Sequence, residues 1–220
     1  MTRVEICARI NEIGIVPCAR VQVPGHALFA AETLYRSCIP ILEISLTLHE
    51  APAVIEELVK RHPDMVVGAG TVLDAEEARR AIDAGAMFIT SPGYVPEVVE
   101  CAEKADVTVF PGAITPSEVI AAWKAGADFV KIFPAATAGG PQYVRALKVS
   151  LTHIPLIVTG GVNQLTAFDY ILAGATAIGI GSELLPALAL QNKQTGRIQE
   201  LARRFTKLVQ EAREQLLSMQ

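Results

Sequence analysis

No stretch of this sequence is apolar over the roughly 20 residues that a membrane-spanning helix requires, although 51% of its residues are hydrophobic and its mean hydropathy is positive. That hydrophobicity must be buried in protein. Parallel sheets covered by helices on both faces do this, because their strands read as nearly continuous apolar runs. Lysine and arginine are not clustered, and 19 of them face 23 acids for a net charge of −4. The electrostatic footprint of a nucleic-acid or anionic-membrane partner is therefore missing, and a small molecule is the expected partner.

Other chemistries are excluded in the same way. Cys7, Cys18, Cys38 and Cys101 stand far apart with no CxxC, and Met-Thr-Arg-Val-Glu-Ile at the start lacks a signal-peptide apolar core, so reduced thiols and a cytoplasmic location are expected. Cys18, at the end of a strand candidate, reads as a buried structural thiol. His26, His49, His62 and His153 have no paired ligand spacing, and no dense carboxylate cluster accompanies them. No metal is expected, and each histidine reads as a surface or loop residue. Ser182 has no evident His/Asp partner and no Gly-x-Ser-x-Gly elbow, which argues against a hydrolase triad.

What is present is alternation. Short apolar runs and helical patterns exchange about eight times at a spacing of roughly 20 to 25 residues, the signature of repeated βα units. The strands centre on Ile15–Cys18, Leu42–Ile44, Val66–Gly68, Phe88–Thr90, Val107–Val109, Val130–Ile132, Leu156–Val158 and Ile178–Ile180. Amphipathic stretches lie between them, at Ala53–Arg61, Ala75–Ala84 and Pro116–Ala125 among others. Ala-Gly-Ala recurs at Gly85, Gly126 and Gly174, where a helix would end in a left-handed glycine. Thr115-Pro116-Ser117-Glu118 has the form of a capping box with proline at the first helical position, so a helix starts at Pro116. With no long linker or composition shift, residues 1–220 are expected to form one α/β domain, a (β/α)8 TIM barrel. The polar, helix-rich segment Gln191–Leu217 would close one barrel face or meet another subunit.

Two charges stand where apolar residues belong. In Phe129-Val130-Lys131-Ile132-Phe133, strand alternation turns Lys131 away from the face of Val130 and Ile132, and in Ile41-Leu42-Glu43-Ile44-Ser45 it isolates Glu43 similarly. If the apolar neighbours meet the helices, both charges face the barrel interior. Burying an isolated charge costs several kcal/mol. One reading is a purely structural ion pair, or a lysine solvated at a strand end. The functional reading is that desolvation favours the neutral amine which attacks a carbonyl, with the glutamate as proton shuttle.

The loops add candidates. Small residues in Gly68-Ala69-Gly70-Thr71, after the third strand, would let backbone amides approach an anion, and Thr71 is a candidate carboxylate ligand. Thr159-Gly160-Gly161 after the seventh strand and Gly181-Ser182 after the eighth occupy positions where barrels form phosphate sites. Either glycine loop alone also reads as no more than a tight turn.

Taken together, Leu42-Glu43-Ile44, Gly68-Ala69-Gly70-Thr71-Val72-Leu73, Ser91-Pro92-Gly93, Phe110-Pro111-Gly112, Val130-Lys131-Ile132-Phe133-Pro134-Ala135 and Thr159-Gly160-Gly161 resemble, in order and over nearly the whole chain, the class I aldolases acting on 2-keto-3-deoxy-6-phosphogluconate and 4-hydroxy-2-oxoglutarate. The resemblance implies a homotrimeric barrel enzyme of Entner–Doudoroff-type sugar-acid breakdown. It also implies a Schiff base on Lys131, Glu43 as general acid/base, and no cofactor. Thr71, Pro92 and Phe133 would shape the pyruvate pocket, while Thr159, Gly160, Gly161, Gly181 and Ser182 would face the aldehyde or phosphate end. Phosphogluconate-type members resemble one another in an arginine four residues after the glutamate, where this chain has Thr47. Arg20, closing the first strand, is placed like an arginine of phosphogalactonate-type relatives, and Gly140-Pro141-Gln142-Tyr143 is similar to that subgroup too. Arg20 read alone is equally a solvated loop residue. The glycine loops by themselves also fit a sugar-phosphate isomerase or epimerase, and the missing arginine fits a non-catalytic barrel that binds a keto acid or sugar phosphate.

Overall fold

A computed structural model describes residues 1–219. Its strands are β1 (Ile15–Ala19), β2 (Ile41–Ser45), β3 (Val66–Gly70), β4 (Phe88–Thr90), β5 (Thr108–Phe110), β6 (Gly112–Ala113), β7 (Val130–Ile132), β8 (Leu156–Val158) and β9 (Ala177–Ile180). All neighbouring pairs are parallel, in the order β5-β4-β3-β2-β1-β9-β8-β7-β6. The ring closes through the chain itself, because β5 pairs with β4, β6 pairs with β7, and only Pro111 stands between them. Proline has no N–H to give a ladder, but its carbonyl accepts from Lys131 N–H at 2.9 Å. The fifth of the eight expected strands is thus split and runs on to Ala113, and the architecture is the TIM barrel that the alternation predicts.

Helices α1 (Arg3–Ile13), α2 (Pro24–Tyr35), α3 (Ala51–Arg61), α4 (Ala75–Asp83), α5 (Pro96–Lys104), α6 (Pro116–Lys124), α7 (Gly140–Ser150), α8 (Ala167–Leu172), α9 (Ala187–Gln191) and α10 (Thr195–Ser218) complete the chain. None of the described helices is long and apolar enough to cross a membrane. The punctuation behaves as expected. Glu118 N–H donates to Thr115 Oγ1, and Glu118 accepts from Thr115 N–H at 2.8 Å. Gly85, Gly126 and Gly174 have φ of +94°, +102° and +99° directly after helix ends.

The apolar residues fall into two clusters that strand alternation separates. The outer one lies between strands and helices and includes Leu42, Ile44, Val130 and Ile132. The inner one fills the lower barrel, where Phe88 stacks on Phe110 at 4.8 Å and Phe110 meets Phe129 edge-on at 5.9 Å. Two features differ from expectation. Of the two roles expected for the C-terminal segment, it does not take that of closing a barrel face: α10 lies on the flank, burying Ile198, Leu201, Phe205 and Val209 in the outer cluster. The plug is instead α1, whose Ile6 and Ile10 join the inner cluster. Thr2 and Glu5 form its capping box. Arg3 anchors it, donating to Asp128 at 2.7 Å and to the Gly126 carbonyl at 2.9 Å, with Glu103 as a further ion-pair partner.

Candidate active site

Glu43 and Lys131 both point into the barrel, as alternation requires, and lie on opposite sides of it, since three strand positions separate β2 from β7 in either direction. Their side chains meet across the interior, with Lys131 Nζ 3.8 Å from Glu43 Oε2. This is an ion pair without a hydrogen bond. Both residues are under a tenth exposed, at 5% for Glu43 and 8% for Lys131. A pair desolvated to this degree is costly unless its geometry is good, so loose contact is weak support for a purely structural role.

The glycines of β3 explain how Glu43 fits. Sequence ends the third strand at Gly68 and reads the glycines there as opening an anion-binding loop, but the strand runs on through Gly70. A Cβ on Gly70 would stand 1.9 Å from Glu43 Oε1, and one on Gly68 would meet the Phe88 ring at 2.3 Å. These glycines therefore clear space for side chains of the neighbouring strands, and periodicity could not reveal this because glycine has no side chain to alternate. Thr71, directly after, has φ +64°, a strained value for a β-branched residue. That turn brings Thr71 Oγ1 within 3.3 Å of Ser45 Oγ, which also contacts Thr47 Oγ1 at 2.9 Å. Thr47 and Thr71 are thus joined through Ser45, which sequence reasoning missed.

Pro92 sits over β6, where a Gly112 Cβ would fall 2.1 Å from the Pro92 carbonyl oxygen, and Gly112 is the ladder partner of Lys131. Phe133 extends β7, its ring centre 5.8 Å from Lys131 Nζ. The other expected ligands surround a cavity of about 610 Å³ at the carboxyl ends of β1, β8 and β9, lined by Cys18, Arg20, Phe133, Thr159, Gly160, Gly161, Gly181 and Ser182 among others. Gly160 and Gly161 both have φ of +86°. A Cβ on Gly160 would touch Phe133 at 2.9 Å, and one on Gly161 would meet Ala136 at 2.4 Å. Among the described residues their amides donate to no backbone carbonyl, which leaves two adjacent N–H groups for an anion.

Some residues fall outside expectation. Thr47 and Arg20 are both exposed, but only Arg20 lines the cavity. His26 is not in a loop: it lies half-buried in α2 and lines the cavity. His62 is half-buried just past α3, 3.1 Å from Glu32. Cys18 is more than packing, since its thiol donates to Glu43 Oε1 at 3.2 Å. Burial first, and the Glu43 carboxylate second, push that thiol well above the usual cysteine range. Thr90 Oγ1 is buried with no hydrogen-bond partner. It sits on the strand beside Gly70, in ladder register with it. Neither Cys18 nor Thr90 carries a charge that would have flagged it. Among the described residues, no group of three or more His, Cys, Asp or Glu side chains is placed to hold a metal ion.

Residues 6–201 match the family model described as KDPG and KHG aldolase. The KHG/KDPG aldolase of Escherichia coli K12 is 33% identical over 190 residues, covering 86% of this chain and 89% of the relative. The KDPG aldolase of Legionella pneumophila, solved with pyruvate captured as a covalent carbinolamine, superimposes with a TM-score of 0.83 at 30% identity over 90% of this chain and 96% of that one. A native KDPGal structure gives 0.83 at 32% identity, covering 91% and 95%. Barrel and relatives together define a class I aldolase, a lyase that works through a Schiff base. The chain belongs to the KDPG and KHG aldolase family.

Proposed function

We propose that Lys131 is the Schiff-base lysine, that Glu43 is the general acid/base, and that the substrate is a 2-keto-3-deoxy-6-phosphosugar acid cleaved to pyruvate and glyceraldehyde 3-phosphate. The observation that carries this reading is the opposed Lys131–Glu43 pair inside the barrel, next to a cavity that Cys18 and Phe133 connect to it. Glu43 takes a proton from the Lys131 ammonium, the freed amine attacks the C2 ketone, and Glu43 returns that proton to the carbinolamine hydroxyl, which leaves as water and gives an iminium. Glu43 takes the C4 hydroxyl proton as the C3–C4 bond breaks, and the bonding pair moves into the iminium to form an enamine while the aldehyde departs. Glu43 then returns a proton to C3, and water hydrolyses the imine to pyruvate and free lysine. The iminium supplies the electron sink that a metal provides elsewhere, so no cofactor enters.

The cavity of about 610 Å³ has room for the longer phosphorylated substrate, whereas 4-hydroxy-2-oxoglutarate ends in a carboxylate directly on the carbon that becomes the aldehyde. The cavity offers Arg20, Ser182 and the two left-handed glycine amides where an anion would lie beyond the aldehyde carbon. Arg20, not Thr47, takes the cationic role in this reading. The working form is a cytoplasmic homotrimer, as the family resemblance implies. Pyruvate release from the gluconate-type and galactonate-type phosphorylated acids and from 4-hydroxy-2-oxoglutarate, measured for wild type and Arg20→Ala, tests the assignment. Arg20→Ala is expected to raise KM for the phosphorylated acid about tenfold, the loss of one charge-assisted contact. Equal use of all three substrates by both proteins would overturn it.

A further inference from the structure

The Glu43 carboxylate is held by a residue outside the reacting pair. Its Oε1 accepts from the Cys18 thiol at 3.2 Å, while its Oε2 faces Lys131 Nζ at 3.8 Å. Among the described residues the thiol is its only hydrogen-bond donor. Cys18 and Glu43 are direct ladder partners on β1 and β2, so the donor comes from the adjacent strand and its distance is fixed by the sheet. Gly70 opens the space over β3 into which the carboxylate extends.

We infer that Cys18 is a positioning residue for Glu43: its thiol holds one carboxylate oxygen and so keeps the other turned toward Lys131 without letting it close into a hydrogen-bonded ion pair. A free glutamate so near an ammonium would be drawn onto it, because attraction between charges rises steeply in a poorly solvated interior. Contact would turn the carboxylate away from the substrate carbon with which it exchanges protons. The thiol suits the task because burial and the neighbouring carboxylate both favour its protonated, donating form. A sulfur donor is also weak, so it steers the carboxylate and leaves it free to exchange protons with substrate.

This inference rests on the reading that Lys131 and Glu43 are the reacting groups, and its test separates the two. Pyruvate alone is the probe. Borohydride trapping reports imine formation at Lys131, and loss of the pyruvate methyl protons to D2O, followed by NMR, reports the proton transfer assigned to Glu43. Cys18→Ala is expected to trap pyruvate as wild type does but to exchange about tenfold more slowly, which corresponds to about 1.4 kcal/mol. Cys18→Ser, which restores a donor, should recover most of that rate. Cys18→Val, apolar and of similar bulk to the thiol, should not. Recovery in Cys18→Val, or wild-type exchange in Cys18→Ala, would overturn the positioning role. Absence of trapping in wild type would instead overturn the Schiff-base assignment beneath it.

Discussion

The two halves of the barrel interior are built by the same strands from residues two positions apart, yet they are made of opposite materials. Below lie Val16, Ile41, Val66, Phe88, Phe110, Phe129, Ile157 and Ala177, all in one apolar cluster under the α1 plug. Two residues further along each strand the interior carries Cys18, Glu43, Gly68, Thr90, Gly112, Lys131, Thr159 and Gly179. The lower set is packed for cohesion, with Phe110 in contact with both Phe88 and Phe129. The upper set is polar or has no side chain, contains two charges and one unsatisfied hydroxyl, and opens toward a cavity. A single period-two pattern thus packs apolar side chains on one level and gathers polar groups and glycines on the next.

Substitutions can break that division, and the largest effect is expected from below. Phe110→Ala removes a side chain 1% exposed and in contact with two other rings. It should cost about 3–5 kcal/mol in urea unfolding, while KM of the protein that remains folded stays unchanged. Above, Gly70→Ala should do the reverse. The new Cβ would displace the flexible end of Glu43, so kcat/KM should fall on the order of a hundredfold, as for an ångström-scale misplacement of a catalytic group, with little change in the unfolding midpoint. A large midpoint loss with intact kcat/KM would erase the contrast. The smallest effect is expected at Thr90, whose buried hydroxyl has no partner. Thr90→Val should raise stability by about 1 kcal/mol in the same unfolding experiment, because it removes a desolvated group with no compensating bond. A destabilised Thr90→Val would mean that the hydroxyl is satisfied.

The contrast also shows what the sequence makes legible. Strands buried on both faces announce themselves as apolar runs, and the charges at Glu43 and Lys131 stand out against them, so the barrel and the opposed charged pair inside it could be read directly. The residues that fit around the pair could not. Gly70 looks like a loop residue, because strand geometry is invisible where a side chain is missing. Cys18 and Thr90 are small, uncharged and compatible with a core. The α1 plug was missed because only Ile6 and Ile10 of its 11 residues are buried, too few for a helical stripe. Which residue faces the cavity, Arg20 rather than Thr47, depends on how the loops after β1 and β2 turn, and neither loop has a periodic pattern.

Intact mass after incubation with pyruvate and borohydride, wild type beside Lys131→Ala, tests the central claim most directly. A pyruvyl-sized gain in wild type alone is the expected result. No gain in wild type, or an equal gain in Lys131→Ala, would contradict the assignment of Lys131 as the Schiff-base lysine.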